Sequence, residues 1–158
     1  MGQLKYQKKL ERFLKKPFFT VKEAAQQAVP KHALAYLEKK GVLERIERGI
    51  YRFSQYEPVV GFEWENLAFR ASSIPEGVIC LISALCYYGL TDQIMREAWV
   101  AIPHGSRAPK RSHTRIVRMR DIKLGCLEIK LGEFKVRIFD RERCIVDAFN
   151  RLWNCGQT

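Results

Sequence analysis

The stretch FFTVKEAAQQAVPKHALAYLEKKGVLERIERGIYRF, from Phe18 to Phe53, decides the fold. Thr20 and Glu23 stand three residues apart, the spacing at which a hydroxyl and a carboxylate cap a helix start reciprocally. A helix is therefore predicted to begin at Val21 and to run through Glu23, Ala24, Ala25, Gln26 and Gln27, all good helix formers. It stops at Ala28-Val29-Pro30, because the residue before a proline is pushed out of helical geometry. Pro30 has no N–H to lose and a fixed φ, which suits the start of a second helix, and Gly41 closes that helix. The order is that of a helix-turn-helix.

On a wheel of the second helix, Ala33, Leu34 and Leu37 share one side, while Lys31, His32, Ala35, Tyr36 and Lys39 spread over the other. A recognition helix needs such an outer face: cations reach the nucleic acid, and a small residue permits close approach to base edges. A solvated amphipathic helix has the same pattern, so the continuation matters. Val42 to Phe53 holds two β-prone segments around Arg48-Gly49, where Gly49 supplies the positive φ of a tight hairpin. Alternation turns Ile46, Tyr51 and Phe53 toward the helices and Arg45 and Arg52 outward. Arg45, Arg48, Gly49 and Arg52 thus form a wing whose arginines suit phosphates or a minor groove, although such a hairpin also serves simply to close a small helical core.

Charge agrees with a polyanionic partner. The net charge is +11, and residues 1–55 hold thirteen Lys/Arg against five Asp/Glu. A localised basic excess is the footprint of a nucleic-acid binder, though solubility or an acidic protein partner produces it too. Residues 1–56 read as a winged helix-turn-helix domain and residues 57–158 as a second, α+β domain, separated by the polar, proline-ended Ser54-Gln55-Tyr56-Glu57-Pro58. The first helix is predicted from about Gln3 to Lys16, with Leu4, Leu10, Phe13 and Leu14 toward the core and Pro17 ending it. No apolar signal-peptide core opens the chain, and the longest apolar run, Val78 to Leu90, is shorter than a bilayer span, so a cytoplasmic protein without a membrane segment is expected.

Five cysteines (Cys80, Cys86, Cys126, Cys144, Cys155) lack paired spacing, which suits reduced, buried thiols. His32, His104 and His113 do not pair at metal-ligand spacing, and no metal or cofactor is expected. In the second half, Phe62 to Ser72 reads as a helix, Ile79 to Tyr88 as a buried helix closed by Gly89, and Ala98 to Ile102 as a strand. Thr114 to Met119 reads as a second strand, and Cys126 to Lys130 with Phe134 to Ile138 as a hairpin. A last helix after Asp140 is expected to bury Ile145, Ala148, Phe149 and Leu152. The fold class is α+β, with a small antiparallel sheet. Between Pro103 and Arg120 lies a run without a carboxylate that includes Arg107, Lys110, Arg111, His113, Arg115 and Arg118. It suits nucleic-acid phosphates, an acidic protein surface or a merely solvated loop.

Taken together, these segments amount to a resemblance. Phe19 to Ala24, Leu37 to Arg45 and Arg48 to Tyr51 are similar to the N-terminal winged helix of AbiEi-type antitoxins, regulators of abortive-infection systems. Ile82-Ser83-Ala84-Leu85 with Tyr88-Gly89-Leu90-Thr91, then Trp99 to Pro103, then Asp140 to Phe149 follow in the order of that family. The resemblance implies a type IV antitoxin: a repressor of its own operon that binds promoter repeats in double-stranded DNA, as monomer or dimer. It further implies that the protein counters a nucleotidyltransferase-like toxin without a stable complex. The family's second domain carries the antitoxicity and assists cooperative DNA binding, and its members commonly continue beyond the last motif with further helix.

An enzyme is weighed against this. Asp92, Asp121, Asp140, Glu142 and Asp147 are scattered, whereas a metal-dependent nuclease needs two or three acids converging with a lysine. Glu128-Ile129-Lys130, with Asp121, has the alternating acid and lysine of some nuclease sheets, which defines the alternative: a nuclease docked on DNA by its winged helix. A cross-strand surface pair explains the same residues more simply. No nucleophile elbow, phosphate-binding glycine loop or paired-histidine motif is present, and no catalysis is expected.

Overall fold

A computed structural model of the protein describes residues 2–155, with side chains described for 5–151. The side chains of the expected core residues Leu4 and Leu152, and that of Cys155, lie outside those described. The fold is mixed α+β, and the chain divides into two compact units, Met1–Val59 and Val60–Thr158.

The first unit opens with α1, Gly2–Leu10, which tightens into a 3₁₀ turn over Glu11–Phe13 rather than continuing as α-helix to Lys16. The i→i+3 bonds Leu14 N to Glu11 O and Lys16 N to Phe13 O carry the tighter winding on. That winding lays the Phe13 ring on Phe19, with centroids 4.9 Å apart. Next come β1 (Phe19–Thr20), α2 (Val21–Gln26), α3 (Lys31–Lys39), β2 (Leu43–Glu47) and β3 (Ile50–Phe53). The strands form an antiparallel sheet in the order β1-β3-β2, and this set of helices and strands is compatible with a winged helix-turn-helix. Leu10, Phe13, Phe19, Ala24, Val29, Leu34, Leu37, Leu43, Tyr51 and Phe53 make one continuous core.

The hairpin departs from simple alternation. A register shift between Arg45 and Glu47 leaves Ile46 half-buried at a bulge, and Arg45 stands opposite Tyr51, on the strand face of Leu43 and Phe53. Arg45 is nonetheless exposed, because β2 is an edge strand. An inserted residue shifts the side-chain phase by one, which a period-two reading of the sequence misses.

The second unit contains α4 (Phe62–Ser72), β4 (Val78–Ile79), α5 (Leu81–Tyr87), β5 (Ala98–Pro103), β6 (Thr114–Met119), β7 (Cys126–Leu131), β8 (Phe134–Phe139) and α6 (Arg141–Cys155). Its sheet has the order β6-β5-β4-β8-β7. The expected antiparallel sheet is corrected here to a mixed one: β4–β5 and β7–β8 are antiparallel, β4–β8 and β5–β6 parallel. The central strand β4 comes from an apolar run that was expected to enter a helix, since periodicity cannot separate a short buried strand from a buried helix. Ile138 and Phe139 point to opposite faces and both are fully buried, so both faces of the sheet are covered at that end.

The last helix is turned from its expected face. Ile145 and Phe149 are 51% and 67% exposed, whereas Cys144 is buried and Ala148 packs against the core. The cause lies one residue earlier. Arg143 stacks over the Phe139 ring at 4.1 Å, donates to the Leu124 carbonyl at 2.5 Å and pairs with Asp147 at 3.1 Å, which turns its side of α6 inward while the helix packs against α5.

Candidate nucleic-acid interface

The expected helix start is present in full. The Thr20 hydroxyl accepts from the Glu23 N–H at 3.2 Å, and Glu23 Oε2 accepts from the Thr20 N–H at 2.7 Å. Burial works against the Glu23 carboxylate, but the Thr20 N–H, the Lys16 ammonium and the Thr20 hydroxyl outweigh it and hold the carboxyl below its ordinary value. Three residues on, α2 closes in a reciprocal pair of bonds, Ala28 N to Ala25 O and Val29 N to Ala24 O, with Ala28 in the left-handed region at φ +54°. Capped at both ends, a six-residue helix is fixed against the turn that follows.

Pro30 is the N-cap residue of α3. Ala33, Leu34 and Leu37 are buried beneath the helix, while Lys31, His32, Ala35 and Lys39 are exposed and Tyr36 is half-buried, with Lys40 Nζ 5.6 Å above its ring. The helix ends as α2 does: Gly41 N bonds Glu38 O and Val42 N bonds Leu37 O, and the φ of +74° falls this time on glycine. Four exposed side chains, two lysines, a histidine and one methyl group, therefore share the outer face of α3.

The hairpin beside it is short. The Val21 N–H donates to the Gly49 carbonyl at 3.0 Å, which seats the Arg48-Gly49 turn against the start of α2. Arg48 and Arg45 are exposed. Arg52 is differently placed: its side chain is only 14% exposed, and its guanidinium donates through Nε and Nη2 to Glu44 Oε2, directly across the strand pair, at 2.9 and 2.8 Å. Arg52 thus braces the hairpin, while Arg45 and Arg48 keep accessible charges.

In the second unit, the basic run stays exposed, but several of its arginines are tied to nearby acceptors. It carries the chain from β5 to the parallel strand β6 with no helix in between. Arg111 donates to the Ser73 carbonyl at 3.2 Å, at the C-terminal end of α4, where a cation also meets the helix dipole favourably. Arg70 donates to the Ser112 carbonyl, and Arg118 to the Ser106 carbonyl at 3.4 Å. Arg115 pairs with Glu97 at 3.1 Å and stacks over Trp99 at 4.6 Å. Arg107, Lys110 and His113 are exposed, and the chain passes through His113 at φ +47° into β6.

Glu128 lies directly opposite Arg137 in the β7–β8 register and Lys130 opposite Lys135. Asp121 Oδ1 accepts from the Lys123 and Leu124 N–H groups and so closes a turn. Among the described residues, no group of three His, Cys, Asp or Glu side chains is gathered in a way that could hold a metal ion. Cys80, Cys86, Cys126 and Cys144 are free thiols. Burial pushes Cys144 up to about 12 and raises Cys80 as well, which keeps both protonated. No described helix is long and apolar enough to cross a membrane.

A family described as "Transcriptional regulator, AbiEi antitoxin" matches residues 8–54, a stretch from within α1 to the end of the hairpin. The family suggested by the motifs is thus the one found, on the unit that carries α2, α3 and the β2–β3 hairpin. The motifs of the second unit lie outside the matched stretch. No curated protein matches the chain.

Proposed function

We propose that this protein is a double-stranded-DNA-binding transcriptional regulator of the antitoxin type, which represses its own promoter. α3 enters the major groove with Lys31, His32, Ala35, Tyr36 and Lys39, and the exposed Arg45 and Arg48 of the wing lie against the sugar–phosphate backbone. One observation carries the reading. The cationic and small side chains of α3 stand outward beside a hairpin, within the stretch similar to AbiEi regulators. The second unit supplies the antitoxin function, acting against a nucleotidyltransferase-like toxin without a stable complex, and its exposed Arg107, Lys110 and His113 are free to meet DNA or a partner.

The test is fluorescence anisotropy of labelled DNA taken from directly upstream of the gene, compared with scrambled DNA of the same length. Upstream DNA is expected to bind more tightly. Lys31→Ala and Lys39→Ala are each expected to cost about 1–3 kcal/mol if they contact bases, and to narrow the gap between the two DNAs. Equal binding of both DNAs by the wild-type protein refutes the reading.

A further inference from the structure

The cations of α1 belong to no element of the interface described so far. Residues 1–16 contain six Lys/Arg and a single acid, Glu11. Lys5, Lys8, Lys9 and Arg12 follow the spacing i, i+3, i+4, i+7, which puts them on one side of the helix and its 3₁₀ extension. Lys5, Lys8 and Arg12 are exposed and Lys9 is half-buried. Among the described residues none of the four has an ion-pair partner, in contrast to Lys16, which pairs with Glu23 at 3.2 Å.

The opposite side of the same segment determines what such a ridge can bind. A basic amphipathic helix with a free apolar side lies on membranes. Here that side is already used: Leu10 and Phe13 are buried in the core of the first unit, with Tyr6 and Leu14 packed against it. What remains outward is charge, on flexible stems, over about 10 Å of helix length. Lysine serves as a compact point charge rather than a planar fork, so such a ridge recognises phosphate groups without reading bases.

We infer that the Lys5–Lys8–Lys9–Arg12 ridge of α1 is a second, sequence-independent contact to the phosphate backbone of duplex DNA. The inference rests on the DNA-binding reading above. α1 contributes affinity and salt dependence, and α3 contributes discrimination. Each phosphate neutralised releases condensed counterions, so the ridge writes itself into the slope of log K against log salt.

The full-length protein is titrated with the upstream duplex and with a scrambled duplex over a potassium chloride series. The combined variant Lys5→Gln, Lys8→Gln, Arg12→Gln is measured beside a charge-preserving one, Lys5→Arg, Lys8→Arg, Arg12→Lys. The Gln variant is expected to make the slope shallower by about 2 to 3, at roughly 0.9 per phosphate contact, and to weaken both duplexes by the same factor, about tenfold or more at low salt. The charge-preserving variant is expected to keep the wild-type slope. An unchanged slope in the Gln variant overturns the inference, as does a loss confined to the upstream duplex or an equal loss in the charge-preserving variant. A wild-type protein that binds neither duplex overturns the DNA-binding reading itself and is thereby distinguished from failure of the ridge alone.

Discussion

Ala28 occupies a position made for glycine. Both helices of the α2–α3 pair close with the same two bonds, yet α3 places Gly41 in the left-handed region and α2 places Ala28 there. An L-residue with a Cβ pays about 1–2 kcal/mol for that conformation, and glycine gives part of the gain back as chain entropy. Ala28→Gly is therefore expected to stabilise the first unit by about 0.5–1 kcal/mol in chemical denaturation, and a loss of stability would refute the cap. Glu23 sets a pH dependence. Its folded pKa is depressed, so its contribution is complete above the ordinary carboxyl value near ~4.3 and is lost as pH falls through the lower folded value. The melting temperature of Glu23→Gln is expected to fall below that of the wild type at neutral pH and to converge with it in acid; parallel curves would refute this. The capping box was legible in the sequence because both partners lie within one turn. Ala28 was not, because nothing in an alanine announces a left-handed backbone.

Among the elements, α6 shows what a helical wheel leaves undecided. Ile145, Val146 and Phe149 form an apolar stripe, yet they face outward, because Arg143 is drawn onto the Phe139 ring and the Leu124 carbonyl. An arginine stacked on an aromatic ring counts as polar in any periodicity, and the buried face moves with it. Phe149→Ala is expected to cost under about 0.5 kcal/mol of unfolding free energy, whereas Phe139→Ala, at a fully buried ring, costs about 3–5 kcal/mol. Comparable losses would refute the orientation of α6. The basic crossover offers the same lesson for charge: Arg111 and Arg118 looked like free cations because their acceptors are backbone carbonyls, and those carry no sequence signature. The α3 face was legible because three apolar residues at helical spacing suffice to orient it. The two-residue strand β4 was hidden within an apolar run.

On the scale of the whole molecule, the two units have separate cores that share no residue. Residues 1–59, made as a separate polypeptide, are accordingly expected to give a helical circular-dichroism spectrum and a cooperative, if low, thermal transition, as befits a small domain. A random-coil spectrum would refute their independence. The strand order β6-β5-β4-β8-β7 has a consequence in time. β4, only two residues long, is the single join between the β5–β6 pair and the β7–β8 hairpin, and one of its partners, β8, lies some sixty residues downstream. As the chain leaves the ribosome, the contacts of the first unit are complete early, while the second sheet waits for its last strand and leaves Val78 and Ile79 without one neighbour. Synthesis thus yields a folded N-terminal unit before the remainder of the chain has closed its sheet.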